Sequence, residues 1–296
     1  MKIKILIITI FFSFSSYANE KAYIFTCEPE WKALADEIGG KNIESFSATN
    51  DKQDPHHIRA KPSLIAKIGK ADLLICTGAD LEIGWLPLLL EKGSREIQIG
   101  KIGNLMTTDF VETIEKPETI DRSDGDVHPH GNPHIHLDPY NILTIAGEIN
   151  KRLKIIDPEN AKNYQNNHDN FVRKWKKSIK ILENKARKLK NIKIISHHKS
   201  FSYLFKWLNI NEIATLEPKP GINPTPKYLK KILELVRNNN DIKYIIRAPH
   251  DRENASNWLA KKSNIKELAL PFTNGKNNAN LFILFDNIIL KLLRNL

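Results

Sequence analysis

Residues 158–189, "PENAKNYQNNHDNFVRKWKKSIKILENKARKL", decide how this chain is organised. Apolar residues recur there at steps of three, four and seven, which places them on a single stripe of an α-helix. They are Tyr164, Phe171, Trp175, Ile179, Leu182, Ala186 and Leu189. At 1.5 Å per residue, a helix of this length spans roughly 45 Å, enough to cross a small protein. The pattern predicts one long connector helix, residues 157–189, between two lobes.

Short apolar runs alternate with helical patterns on both sides of this helix. The predicted strands before it are "AYIFTC", "NIESFSA", "DLLICTG" and "IQIG", and those after it are "IKIISHH", "NEIATLE", "IKYIIRAP" and "KELALPF". Such alternation is typical of a parallel sheet covered by helices. We therefore expect an α/β fold of two lobes, residues 19–156 and 190–296, each a parallel sheet flanked by helices. Segment 104–133 is polar and aperiodic and is predicted to be an irregular surface segment.

The beginning of the chain has the pattern of an export signal. Lys2 and Lys4 precede an apolar run, and Ser16-Tyr17-Ala18 matches a small-x-small cleavage site. The apolar run is too short to span a bilayer comfortably. Residues 1–18 are therefore predicted to be a cleavable signal peptide, and the mature protein to be periplasmic.

The two cysteines of the chain follow two of the predicted strands. Cys27 ends "AYIFTC" and Cys76 ends "ADLLIC". If these strands are neighbours in a parallel sheet, the two sulfurs could meet, and an oxidising compartment would allow one disulfide. Two buried thiols are the alternative.

The formal charge of +11 comes mostly from lysines scattered along helical segments. No arginine-rich block and no alternation of lysine with aromatic residues is present in the sequence. This distribution is typical of solvated helix faces, so we expect no nucleic-acid partner.

Eight of the ten histidines are concentrated in three places. These are His56 and His57; His128, His130, His134 and His136; and His197 and His198. Each group lies in a predicted strand-to-helix loop or in the irregular segment, and such loops gather at one edge of a parallel sheet. A cation between the lobes could take one imidazole from each group, because zinc needs about four N, O or S ligands. For His168 and His250, a structural or exposed position is favoured.

Three motifs give the chain a resemblance to a known family. "DPHHIRAKPSLIAKIGKADLLICTGADLE", "NPHIHLDPYN" and "ISHHKSFSYLFKWLNI" are similar, in order and spacing, to segments of the solute-binding proteins of bacterial zinc and manganese ABC importers, of the zinc-uptake or TroA-like type. Motif by motif, the resemblance implies the metal ligands His56, His134 and His198. His136 stands where the family usually has Trp, and His57 and His197 are the neighbours of presumed ligands.

The sequence departs from the family pattern at the fourth ligand. Many members have an acidic residue just after the last strand, where this chain has Leu270 in "ELALPFTNGK". Glu217, Asp251, His136 or a water remain candidates for this position. Three imidazoles without the carboxylate favour Zn²⁺, and Mn²⁺ less, because manganese prefers harder oxygen ligands. His128 and His130, in a short version of the family's His-rich loop, either catch metal weakly or are exposed.

The resemblance implies a periplasmic protein that captures Zn²⁺ between its lobes and delivers it to the membrane permease of an ABC importer. We expect it to act as a monomer and to have no enzymatic activity. A zinc-dependent hydrolase with a three-histidine site is the alternative, since a catalytic zinc also has three protein ligands. Cell adhesion, a function sometimes attributed to relatives, has no motif of its own here.

Overall fold

The computed structural model describes residues 20–119, 125–294 and 296. The predicted signal peptide therefore lies outside the described residues. Across the described residues, two four-stranded parallel sheets are separated by a long helix, as the sequence predicts. None of the helices in these ranges has the length and apolar character needed to cross a bilayer.

The first sheet has the strand order β2-β1-β3-β4, and all its pairings are parallel. Its strands are β1 (Ala22–Thr26), β2 (Ile43–Ser47), β3 (Leu73–Cys76) and β4 (Asn104–Met106). The helices of this lobe are α1 (Pro29–Gly39), α2 (Pro62–Ile68), α3 (Leu86–Leu90) and α4 (Pro139–Ile156). Proline occupies the first turn of each of these helices, where its missing N–H has no intrahelical partner to lose.

The long helix α5 (Ala161–Lys185) is extended by short 3₁₀ turns at Pro158–Asn160 and Ala186–Leu189. The second sheet follows with the order β6-β5-β7-β8. Its strands are β5 (Lys193–Ser196), β6 (Asn211–Thr215), β7 (Ile242–Arg247) and β8 (Lys266–Ala269). The helices around it are α6 (Ser202–Leu208), α7 (Pro226–Arg237), α8 (Glu253–Ser263) and α9 (Leu281–Leu293).

One hydrophobic cluster runs without interruption from the first sheet to the second. It contains the apolar stripe of α5 together with buried residues of α1, α4, α6 and α9. Trp175 lies near its centre, where its ring stacks on Phe171 and its indole N–H donates to the carbonyl of Pro139 at 2.8 Å. Because close-packed interiors resist sliding, this shared core fixes the two lobes against each other.

One predicted strand is wrong. Residues 97–100, "IQIG", are not a strand: Arg95–Ile97 is a 3₁₀ turn, and the amide of Gln98 donates to backbone carbonyls of the preceding helix and loop. The edge strand is instead β4, inside the segment predicted to be irregular. β4 has three residues, of which only Leu105 is fully buried. Such a short run shows too little alternation of apolar and polar residues to be recognised as a strand.

Cys27 and Cys76 form a disulfide, which is the first of the two alternatives that the sequence left open. Strands β1 and β3 are parallel neighbours. Cys27 directly follows β1 and Cys76 is the last residue of β3, and their Cα atoms are 4.8 Å apart. Both residues are fully buried, so the bond is shielded from solvent thiols.

We expect loss of this disulfide to destabilise the fold without changing it. The bond closes a loop of 49 residues, and the chain-entropy model gives about 4 kcal/mol of stabilisation for such a loop. Denaturant unfolding of metal-free Cys27→Ala/Cys76→Ala, compared with the parent, measures this difference. Equal free energies of unfolding would contradict the prediction.

Candidate metal centre

The three ligands predicted from the sequence lie close together at the carboxyl edges of the two sheets. His56, His134 and His198 each offer a ring nitrogen within 4.8 Å of the others. Their ring centroids lie 5.6 to 5.9 Å apart, with the planes nearly perpendicular. The three side chains come from three separate loops, two from the first lobe and one from the second.

His56 is positioned by the loop that follows β2. The carboxylate of Asp54 accepts both the backbone N–H of His56, at 3.0 Å, and its ring Nδ1–H, at 2.7 Å. The indole of Trp85 donates to the carbonyl of Pro55 and fixes the loop against α3. Because Nδ1 carries the proton that Asp54 accepts, Nε2 of His56 has a free lone pair.

His134 is held at the amino end of a 3₁₀ turn that leads into α4. Its backbone N–H donates to the side chain of Asn132, whose amide in turn donates to the carbonyl of Lys199 in the second lobe. The hydroxyl of Tyr203 donates to the carbonyl of Asn132 at 2.7 Å. Asn132 therefore connects the segment carrying His134 to the second lobe.

His198 follows β5, and Glu217 follows the neighbouring strand β6. The ring Nδ1–H of His198 donates to Glu217 at 2.7 Å, and Glu217 also accepts the N–H of Gly221. Carboxylates that accept the distal N–H of a histidine are typical partners of metal-bound imidazoles, because they fix the tautomer and increase the basicity of the ligand. Asp54 and Glu217 have this relation to His56 and His198.

The unpartnered ring nitrogens of His134 indicate that the three histidines can bind a cation. Both ring nitrogens of His134 are buried, and no hydrogen-bonding partner for either is found in the parts of the chain that the structure describes. The side chain is only 3% exposed. A buried polar atom without a hydrogen-bonding partner lowers the stability of the fold, and such atoms are rare in native proteins unless they have a functional role. Its environment, beside two imidazoles with free lone pairs, is that of a ligand for a divalent transition metal.

The surroundings shift the pKa values of His134 and His198 in opposite directions. Burial, together with the neighbouring histidines, holds the pKa of His134 well below its usual value of 6.5. Burial also lowers the pKa of His198, but the hydrogen bond and negative charge of Glu217 outweigh it and raise the net pKa above 6.5. Burial raises the pKa of Asp54, and the interactions with His56 reverse this and lower it overall.

His250 reaches the same cavity although the sequence favours a structural role for it. A cavity of about 190 Å³ is lined by His56, His134, His198, His250 and Asp251, among others. The ring of His250 packs edge-on against Phe272, and its Nδ1 is buried without a partner among the described residues. His250 lies just after β7, as His198 lies just after β5. This position after a strand was the only indication in the sequence that His250 reaches the cavity.

The remaining histidines have separate environments. His57 is exposed, with its Nε2 3.6 Å from a carboxylate oxygen of Asp126. His197 is buried, with its Nε2 3.7 Å from Glu217, and His130 is exposed. His168 lies on α5, beside Asp169 and away from the centre, as expected.

His136 does not reach the three-histidine cluster. The sequence left open whether it assists His134, on the basis of a strand in which residues two apart share a face. The segment is instead a 3₁₀ turn, and Nε2 of His136 donates to the carbonyl of Phe272 at 2.9 Å while Nδ1 lies 3.2 Å from Glu30. Leu270, at the position of the family's acidic residue, is fully buried in the core.

The sequence of this chain is similar to those of known metal-binding proteins. The family model described as ZnuA, zinc-uptake complex component A periplasmic, matches residues 24–289. The zinc-binding protein AdcA of Streptococcus pyogenes serotype M3 is 24% identical over 216 residues, covering 70% of this chain but only 41% of that protein. The manganese ABC transporter substrate-binding lipoprotein PsaA of Streptococcus pneumoniae is 25% identical over 268 residues, or 88% of this chain and 82% of that protein.

Solved structures of the same fold cover almost the whole chain. A crystal structure of ZnuA has a TM-score of 0.77 at 20% identity, covering 93% of this chain and 99% of its own. The Mn-bound periplasmic metal-binding protein of Candidatus Liberibacter asiaticus gives 0.75 at 18% identity with the same coverage. The matched proteins are metal-binding transport proteins and not enzymes. This chain therefore belongs to the ZnuA family of metal ABC transporter substrate-binding proteins.

Proposed function

We propose that this protein captures one Zn²⁺ per chain with His56, His134 and His198 and delivers it to the membrane permease of an ABC importer. The observation that carries the proposal is the pair of unpartnered ring nitrogens of buried His134, located between two imidazoles whose distal N–H groups are already bonded to carboxylates. Family membership supports the transport role, since substrate-binding proteins of this class work with a permease.

Zinc is preferred over manganese because of the donor set. The three converging groups are imidazoles, whereas the nearby carboxylates of Asp54 and Glu217 accept hydrogen bonds from those imidazoles. Imidazole suits zinc, and manganese prefers oxygen ligands. The two carboxylates bind the imidazoles and not the metal ion itself. Their negative charge therefore offsets part of the charge of the divalent ion without occupying its coordination sites.

The same proposal includes the cellular setting. A periplasmic location after removal of residues 1–18 is supported by the pattern of the first residues and by relatives named as substrate-binding lipoproteins of ABC transporters. The proposal also includes a monomer with lobes at 19–156 and 190–296, a connector at 157–189 and a metal site between the sheets. The continuous core between the lobes supports small lobe movements on loading rather than a wide hinge.

We expect metal-free protein to bind Zn²⁺ at one equivalent per chain in titration calorimetry. Zinc at 100 times its Kd stabilises the fold by about 2.7 kcal/mol and raises the melting temperature. His134→Ala is expected to weaken binding at least about 10–100-fold, because loss of a ligand costs no less than loss of a ligand's hydrogen-bond partner. His168→Ala, a histidine on the surface of α5, is the matched control. Failure of the parent to bind either Zn²⁺ or Mn²⁺ would contradict the proposal.

We also expect a defined pH dependence of zinc affinity. Zinc needs neutral His198, and the pKa of this residue is raised above 6.5 by Glu217. Protons therefore compete with zinc as the pH falls through that raised pKa, and affinity declines. In Glu217→Gln the stabilising negative charge is gone, so the pKa of His198 falls and the decline begins at a lower pH.

Chelator competition across the acid-to-neutral range measures this shift. Glu183→Gln is the control, because Glu183 bonds Tyr140 and Trp207 and not a histidine of the centre. Identical pH profiles for the parent and Glu217→Gln would rule out this role of Glu217.

A further inference from the structure

A short segment of the first lobe lies across the metal centre and contacts both lobes. We call residues 125–131 the strap. The backbone N–H of Asp126 donates to the carbonyl of Pro220 in the second lobe at 2.9 Å. Gly125 has φ +77°, and a Cβ there would lie 2.0 Å from the same carbonyl oxygen. The close approach of the strap to the second lobe therefore requires glycine at this position.

The other end of the strap is also built on glycine. Gly131 has φ +98°, and a Cβ there would lie 2.7 Å from the hydroxyl of Thr113. The N–H of Gly131 donates to the carbonyl of His128 at 3.0 Å and closes a turn. The turn leaves His130 exposed and directs His128 inward, to the wall of a cavity of about 300 Å³ that is also lined by His134 and His198.

The ring of His128 is oriented by a single backbone carbonyl. Its Nδ1–H donates to the oxygen of Ala79 at 2.8 Å. Ala79 adopts a left-handed conformation, φ +49°, in the turn after β3. That turn is held by the buried carboxylate of Glu82, which accepts the N–H groups of Thr77 and Gly78. With Nδ1 fixed as a donor, Nε2 of neutral His128 has a free lone pair.

This lone pair faces another. Nε2 of His128 and Nε2 of His56 are 3.0 Å apart, and the Nδ1 of each ring already donates, to Ala79 and Asp54 respectively. Two lone pairs at this distance repel unless a cation lies beside both. Two nitrogens bound to one tetrahedral zinc are about 3.3 Å apart, for bonds of about 2.0–2.1 Å. The observed separation is close to that of two ligands of one ion. Of these four histidines, His56, His134 and His198 are the three whose ring nitrogens all lie within 4.8 Å of one another, so a shared ion requires the ring of His128 to move towards His134 and His198.

The three side chains that the sequence offered as the fourth ligand have other contacts in the structure. Glu217 accepts from His198 and Gly221. Asp251 accepts the N–H of Ala248 with one carboxylate oxygen, and the other faces His250 at 3.8 Å. His136 is bonded to the carbonyl of Phe272.

From these contacts we propose that His128 is the fourth metal ligand and that the strap delivers it, closing a four-imidazole site across both lobes. This assignment rests on the proposed function. It replaces the family's acidic ligand, absent at Leu270, by an imidazole from a different part of the chain. The proposed fourth ligand belongs to a surface segment rather than to a sheet edge.

Matched histidine variants of the full chain test the assignment. His128→Ala is expected to bind Zn²⁺ at least about 10-fold more weakly than the parent in chelator competition. His130→Ala, two residues away in the same strap and exposed, is expected to bind like the parent. The visible absorption of bound Co²⁺ is expected to change in His128→Ala and to stay unchanged in His130→Ala.

Cysteine variants test contact directly, whatever happens to affinity. A thiolate bound to Co²⁺ gives an intense near-ultraviolet charge-transfer band, so His128→Cys should show it and His130→Cys should not. Zinc binding by the parent, with His128→Ala and His130→Ala indistinguishable and no thiolate band in His128→Cys, would overturn the fourth ligand and leave the three-histidine site intact. In that case a shared proton explains the contact of His56 with His128. A parent that binds no metal would overturn the proposed function and this assignment together.

Discussion

Several imidazoles can share one small space only if the nitrogens that face one another carry lone pairs and not protons. In this protein, hydrogen bonds on the far side of each ring create that condition. Asp54 takes the Nδ1 proton of His56, and Glu217 takes that of His198. His134, without any partner in the described ranges, lies between them. A cation that accepts these lone pairs provides a partner for all three rings at once. The hydrogen bonds around the rings therefore prepare them to bind a metal.

The fold has to hold these rings in place from three distant loops. Parallel sheets do so because the carboxyl ends of their strands meet at one edge, and each sheet places one or more histidine-bearing loops there. The apolar stripe of α5 packs into a core shared by both lobes, so the two edges face each other at a fixed distance. Asn132 adds a direct polar link between the lobes next to His134. If these rings bind a metal as proposed, the site is already arranged before the metal arrives, which limits the conformational cost of binding.

The sequence predicted the two parallel sheets and the long helix, because each leaves a strong periodic signal. It left open whether Cys27 and Cys76 form a disulfide or remain two buried thiols. It also brought His56, His134 and His198 together, since each follows a strand or precedes a helix within a recognisable motif. Strand β4 escaped detection because only Leu105 of its three residues is fully buried. His250 was undervalued because a lone histidine after a strand has no distinctive neighbour in the sequence.

The environment of His128 could not be predicted from the sequence either. Its ring orientation depends on the carbonyl of Ala79, a backbone atom 49 residues away in sequence, and on a turn with positive φ that no side chain signals. The sequence left the role of His136 open for a related reason: the spacing of His134 and His136 suits a strand, whereas the chain forms a 3₁₀ turn there. Contacts set by backbone geometry across long sequence separations lie beyond local patterns.

The most direct test of a shared cation among these imidazoles is zinc X-ray absorption spectroscopy on the complex with one Zn²⁺ per chain. The account predicts a first shell of nitrogen and oxygen atoms at about 2.0–2.1 Å, with the outer-shell scattering of at least three imidazole rings. A spectrum with one imidazole or none would place the zinc outside the histidine cluster and contradict the account.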